Sequence, residues 1–117
     1  LLIECGYRTS VERVSRTQPL PAGNIPNIVS HALAGEMIGM RYVYLEAGSG
    51  AKNPVSPEII RAVRSEISVP LIVGGGIRMP EYAASLVDAG ADFIVIGNVL
   101  EKSDDPEAVR KFAEAVK

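Results

Sequence analysis

Three glycine-containing segments of the 117-residue chain come directly after short apolar runs that are typical of strands. They are EAGSG at 46–50, GGG at 74–76 and GN at 97–98. Glycine at such a turn lets bare backbone N–H groups approach an anion closely, and a following helix adds the positive end of its dipole. In a parallel sheet all three turns lie at the same edge. The pattern therefore predicts a phosphate site that is built from backbone N–H groups.

Glu46 is the carboxylate whose position best suits a role in substrate binding or catalysis. Alternation along YVYLE puts Tyr42, Tyr44 and Glu46 on one face of a strand and Val43 and Leu45 on the other. At the end of that strand, the carboxylate could accept hydrogen bonds from substrate hydroxyls or take a proton as a general base. The alternative is a structural role, in which it accepts hydrogen bonds from N–H groups of the adjacent glycine loop.

Three other charged or titratable residues have two possible roles each. Arg78, just after the triple glycine, could pair with an anion or could be a surface residue at a helix start. Asp92 precedes its strand, so it is predicted at the opposite edge as a cap or a surface charge. His31, the only histidine, lies within a predicted helix and is expected to be partly exposed there rather than to act as a base.

The glycine pattern does not match the common nucleotide-binding motifs. A dinucleotide-binding GxGxxG motif would need a further glycine at position 53 or 79, where the chain has Asn53 and Met79. No GK[ST] sequence follows a glycine-rich loop. Rossmann-type and P-loop nucleotide binding are therefore not predicted.

The composition excludes several further classes of protein. Twelve Lys plus Arg stand against 14 Asp plus Glu, and the net charge of −2 gives no basic footprint for nucleic acid. No apolar run approaches the ~18–20 residues that span a bilayer, so no stable membrane insertion is expected. The single Cys5 cannot form an internal disulfide, and we see no signal peptide. A cytoplasmic location is expected.

Apolar periodicity predicts an α/β chain of four strand–helix units with parallel strands. The predicted strands cover residues 1–5, 42–46, 69–73 and 93–96, and the predicted helices cover 27–40, 57–67, 80–89 and 106–116. Gly39 is expected to end the first of these helices, and Asp104 or Asp105 to cap the last. Residues 97–100 are expected to start a short extra helix.

Two architectures fit this alternation. One is an open doubly wound sheet that is complete at this length, and the other is half of an eight-fold barrel of about 250 residues. The chain opens on a strand-like segment without an initiator Met, which indicates either processing or a piece of a longer protein. Four strands in 117 residues favour the half-barrel.

Three sequence strings resemble the archaeal geranylgeranylglyceryl phosphate synthase family. They are YLEAGSGA (44–51), PLIVGGGIR (70–78) and GADFIVIGN (90–98). The first string is the specific one, because GGGIR and GADFIVIGN occur in many phosphate-binding barrels. The resemblance extends from about residue 27 onward and is weaker over 7–25.

The resemblance implies a (β/α)8 TIM barrel of which residues 1–117 are the last four units, the C-terminal half of a single domain. It implies a prenyltransferase that joins sn-glycerol 1-phosphate to geranylgeranyl diphosphate through an ether, with Mg²⁺ assisting the departure of diphosphate. The family's metal-binding aspartates belong to the first half of the barrel, outside this chain. A homo-oligomer that binds no nucleic acid is expected.

The resemblance also implies which residues hold glycerol phosphate, and Glu46 is the candidate catalytic residue among them. The implied binding residues are Tyr44, Leu45, Glu46, Ala47, Gly48, Ser49, Gly50, Gly75, Gly76, Gly97 and Asn98. Two alternatives stay open. One is another phosphate-binding TIM-barrel enzyme, such as a phosphosugar isomerase or a heptaprenylglyceryl phosphate synthase, and the other is a non-catalytic flavodoxin-like binding domain.

Overall fold

The computed structural model describes residues 1–102 and 105–117, which form three parallel strands and six helices. The elements are α1 (Ser10–Ser15), α2 (Ile25–Met37), β1 (Val43–Glu46), α3 (Pro57–Glu66), β2 (Leu71–Gly74), α4 (Pro80–Asp88), β3 (Phe93–Val95), α5 (Asn98–Glu101) and α6 (Pro106–Ala115). The strand order is β1-β2-β3, and both pairs are parallel. The predicted α/β class with a parallel sheet is confirmed.

Capping residues explain where the helices begin. The Ser56 side chain accepts a hydrogen bond from the backbone N–H of Ile59, and Pro57 occupies the first turn of α3. Asn24 caps α2 in the same way, so this helix starts two residues earlier than periodicity predicts. Asp105 caps α6, while Asp104, the other predicted cap, lies outside the described residues. Gly39, with φ of +95°, follows the C-cap of α2 as predicted.

The predicted strand at residues 1–5 is wrong. Isolated parallel bridges join Leu2 to Glu46 and Ile3 to Leu20, and no continuous ladder forms. The N–H of Ile3 donates to the carbonyl of Glu46 at 2.8 Å and the N–H of Glu4 donates to the carbonyl of Leu20 at 2.9 Å, on opposite sides of the segment. Each neighbour is bridged at a single residue, which is too short a pairing for a strand.

The two faces of the sheet have different surroundings. Val43, Leu45, Leu71 and Val73 are at most 5% exposed and belong to the same core as the buried residues of α2, α3, α4 and α6. The other face carries Tyr44, Glu46, Ile72, Gly74, Phe93 and Val95, which the strand register places side by side. Phe93 and Val95 are 54% and 45% exposed. Helices of the described chain thus cover only one face of the sheet.

An ion pair joins α3 to the start of β3 at the amino ends of the strands. Arg64 Nη1 lies 3.1 Å from Asp92 Oδ2, and the same oxygen accepts a hydrogen bond from the buried N–H of Leu71 at 2.8 Å. In return, the N–H of Asp92 donates to the carbonyl of Leu71. The predicted position of Asp92 at the edge opposite the glycine turns is confirmed, and its role is to align β2 with β3.

None of the helices in the described ranges 1–102 and 105–117 is both long enough and apolar enough to cross a membrane.

Replacing Asp92 with Ala is expected to lower the free energy of unfolding by about 2 kcal/mol. The buried Leu71 N–H loses a charged acceptor, and such bonds contribute ~1.5–3 kcal/mol, whereas the half-exposed ion pair itself adds little. Urea denaturation of the protein that carries this chain measures the change. Asp88→Ala, at the exposed end of α4, is the matched control and should stay within about 0.5 kcal/mol of wild type. Equal effects of the two substitutions would contradict this assignment.

Candidate functional site

A cavity of about 460 Å³ lies at the carboxyl ends of the three strands, where the glycine segments meet. Eight of the predicted binding residues line it: Tyr44, Glu46, Ser49, Gly50, Gly75, Gly76, Gly97 and Asn98. Leu45, Ala47 and Gly48 do not line it and are buried instead. Residues at this edge of a parallel α/β sheet are in the usual place for a ligand.

The first wall of the cavity is the tight turn that follows β1. The N–H of Ala51 donates to the carbonyl of Gly48 at 3.0 Å, and the N–H of Gly48 donates to Glu46 Oε1 at 2.6 Å. The Tyr7 hydroxyl donates to the carbonyl of Gly50. A Cβ on Gly48 would lie 2.6 Å from Thr9 Cγ2, so only glycine allows this contact. One oxygen of Glu46 thus has the structural role that the sequence left open as an alternative.

The second wall is the loop after β2. Gly75 and Gly76 both have positive φ, at 87° and 72°. A Cβ on Gly75 would meet Glu46 Oε1 at 2.6 Å and the backbone N of Gly48 at 2.7 Å. Because Gly75 has no side chain, the first loop has room to pack against it. A ligand in the cavity can contact only backbone atoms of this residue.

The third wall begins at Gly97, the residue before the short helix α5. Its φ is −118°, and the nearest atom to an added Cβ would be Glu101 Oε1 at 4.0 Å. Packing within the described residues does not require glycine here. Asn98 is tied to the first wall, because Ser49 Oγ donates to its Oδ1 at 3.0 Å. The open side of Gly97 faces space that a ligand can occupy.

Four backbone N–H groups around the cavity have no protein acceptor within the ranges that the structure describes. They belong to Gly50, Gly76, Gly97 and Asn98. Backbone N–H groups are strong donors that are rarely left unpaired away from water. Several such groups that converge on one cavity can bind a phosphate.

Tyr44 lies beneath these loops on the open face of the sheet. Its hydroxyl sits over Gly74, where any side chain would collide with it. Burial raises the pKa of the Tyr44 phenol well above its ordinary value, and hydrogen bonding to Glu46 together with the charge of that carboxylate raises this pKa further. Tyr44 therefore remains a neutral hydrogen-bond donor beside the carboxylate throughout the physiological range.

Sequence reasoning did not place Tyr7, Val11 and Lys102 at the site. Val11 and Lys102 line the cavity, and Tyr7 contacts its first wall. Residues 7–15 come from α1 and the loop before it, which carry no glycine signal. Arg78 also lines the cavity, but its guanidinium donates to backbone carbonyls, with Nη2 at 2.7 Å from Ala51 O.

No group of three or more histidine, cysteine, aspartate or glutamate side chains comes together in the described part of the chain. Glu46 is the one carboxylate among the residues that line this cavity, and its Oε1 already accepts a hydrogen bond from the N–H of Gly48. No step at this cavity is therefore assigned to a metal ion.

Ultraviolet titration should show Tyr44 ionising far above the usual tyrosine pKa of about 10. Subtracting the titration curve of the Tyr44→Phe variant separates the signal of Tyr44 from that of Tyr82. Burial raises the pKa of Tyr82 as well. In Glu46→Gln the Tyr44 pKa should fall, because the negative charge is lost, yet stay above the usual value, because burial remains. A Tyr44 pKa that does not change on this substitution would show that Glu46 does not contact the phenol.

Comparison with known proteins gives consistent matches. A family model described as the PcrB family matches residues 2–116. The geranylgeranylglyceryl phosphate synthase of Thermococcus gammatolerans is 51% identical over 97% of this chain and 44% of its own length. That of Spirosoma linguale is 44% identical over 100% of this chain and 46% of its own length.

A solved structure agrees with these matches. It is (S)-3-O-geranylgeranylglyceryl phosphate synthase from Thermoplasma acidophilum in complex with its substrate sn-glycerol-1-phosphate. It superposes with a TM-score of 0.93 at 41% identity, over 100% of this chain and 47% of that one. The chain spans about half the length of the curated relatives it matches. Because the family model matches nearly the whole chain, the chain belongs to the PcrB family.

Proposed function

We propose that this chain forms the glycerol phosphate half of a prenyltransferase that joins sn-glycerol 1-phosphate to geranylgeranyl diphosphate, forming an ether. The observation that carries the proposal is the group of four unpaired backbone N–H groups around one cavity. The names of the relatives, and the substrate in the Thermoplasma acidophilum structure, support the choice of ligand.

In this proposal the phosphate binds at the glycine walls and the glycerol hydroxyls face Glu46. One oxygen of this carboxylate already accepts from Gly48, which fixes the orientation of the group. The carboxylate can then accept hydrogen bonds from the glycerol hydroxyls and take the proton of the attacking one. The neutral hydroxyl of Tyr44 beside it supplies a donor. Orientation of the acceptor is the main contribution of these residues.

We further propose that residues 1–117 are the last four units of a (β/α)8 barrel. Three features support this: helices cover only one sheet face, Phe93 and Val95 are exposed on the other, and the chain is about half as long as its relatives. The first half of the barrel would cover the open face and supply the Mg²⁺ site that is absent from the described residues. The cytoplasmic location and the homo-oligomer stay predictions.

The full-length protein that carries this chain should convert sn-glycerol 1-phosphate and geranylgeranyl diphosphate into the prenyl ether and diphosphate. Chromatography of the lipid product, with phosphosugars and with heptaprenyl diphosphate offered separately, measures this activity. In Gly97→Ala, a methyl group would stand where the phosphate approaches. We expect at least about tenfold weaker binding of sn-glycerol 1-phosphate in calorimetry, since a charge-assisted hydrogen bond contributes ~1.5–3 kcal/mol.

Gly23→Ala is the matched control for this variant. No protein atom lies within 4 Å of a Cβ at Gly23, and that residue does not line the cavity. Both variants should keep the melting temperature of wild type to within a few degrees. Wild-type affinity in a folded Gly97→Ala protein would count against the phosphate position, and turnover of a phosphosugar alone would favour the isomerase alternative.

Residues 1–117 expressed alone should not unfold as a cooperative monomer. The open sheet face and its exposed apolar residues favour aggregation or dimerisation. Analytical ultracentrifugation and thermal denaturation check this. A monomer with a sharp unfolding transition would instead support the self-contained, flavodoxin-like alternative.

A further inference from the structure

The guanidinium of Arg78 joins two walls of the cavity. Its Nη2 donates to the carbonyl of Ala51 at 2.7 Å, and its Nη1 donates to the carbonyls of Lys52 at 3.2 Å and Gly76 at 3.3 Å. Ala51 and Lys52 end the turn after β1, whereas Gly76 belongs to the loop after β2. One side chain thus holds carbonyls of both loops.

The two loops approach closely where Arg78 holds them. A Cβ on Gly76 would lie only 3.0 Å from the Ala51 carbonyl, which is the same oxygen that accepts from Arg78. Ala51 is 0% exposed, so its carbonyl needs a donor from within the protein. A planar guanidinium reaches several carbonyls at fixed angles, and a lysine ammonium on its flexible stem does not reproduce this geometry.

The charge of Arg78 is not neutralised within the described chain. No carboxylate of residues 1–102 or 105–117 lies within ion-pair distance of it. Its partners are neutral carbonyls, and the side chain lines the cavity. The positive charge therefore remains beside the unpaired N–H groups of Gly50 and Gly76, where it favours an anion.

We propose that Arg78 is a positioning residue of the phosphate site. It holds the turn at residues 48–51 against the loop at 74–77, which sets the spacing between the N–H groups of Gly50 and Gly76. The identity of the ligand as sn-glycerol 1-phosphate rests on the function proposed above. Misplacement of these donors weakens binding of the phosphate substrate, while the prenyl diphosphate, which binds elsewhere, is unaffected.

The test compares Arg78→Ala, Arg78→Lys and the exposed helix control Arg61→Ala in the full-length protein. Hydrogen–deuterium exchange without ligand reports on the loops, calorimetry measures binding of sn-glycerol 1-phosphate, and kinetics vary each substrate separately. In Arg78→Ala, exchange should accelerate in both loops and KM for sn-glycerol 1-phosphate should rise at least about tenfold. kcat should stay within about threefold, and KM for geranylgeranyl diphosphate should not change.

Arg78→Lys retains the charge and should resemble Arg78→Ala, so it carries the test if the alanine variant does not fold. Added methylguanidinium should restore part of the affinity of Arg78→Ala. Full activity in Arg78→Lys, faster exchange in only one loop, or an unchanged KM in Arg78→Ala would each overturn the inference. If the wild-type protein does not bind sn-glycerol 1-phosphate, the proposed function fails. The same variants titrated with inorganic phosphate then decide whether Arg78 positions an anion site.

Discussion

The parallel direction of the three strands is the constraint on which the site depends. Parallel strands bring every strand-to-helix turn to one edge of the sheet, and here each of those turns contains glycine. The loops after β1 and β2 pack against each other so closely that a Cβ on Gly75 would overlap the backbone of Gly48. This packing leaves backbone N–H groups pointing at a shared cavity with no protein acceptor. The anion of the proposed function would satisfy those donors, which links the topology to the ligand class that we propose.

Charge is distributed unevenly around that cavity. Glu46 lies at the end of β1, beside a buried tyrosine hydroxyl that its charge helps to keep protonated. Arg78 and Lys102 line the cavity as cations. In the proposed function the two parts have separate roles, one attracting and holding the phosphate and the other orienting hydroxyl groups.

Much of this arrangement could be predicted from sequence, because the signals are local. Ser56 followed by Pro57 predicts the start of α3, and alternation in YVYLE places Tyr44 and Glu46 on the face opposite Val43 and Leu45. Non-local contacts could not be predicted in this way. The apolar run at residues 1–5 looks like a strand, but each of its two neighbours is bridged at only one residue. The contacts of Arg78 and Tyr7 depend on loops that are distant in sequence, and the packing role of Gly75 depends on the path of another turn.

A crystal structure of the full-length protein with sn-glycerol 1-phosphate would locate the phosphate directly. We predict that the phosphate oxygens accept hydrogen bonds from the backbone N–H groups of Gly50, Gly76 and Asn98, with the glycerol hydroxyls toward Glu46. A phosphate bound elsewhere on the protein, with the glycine edge empty, would contradict this prediction.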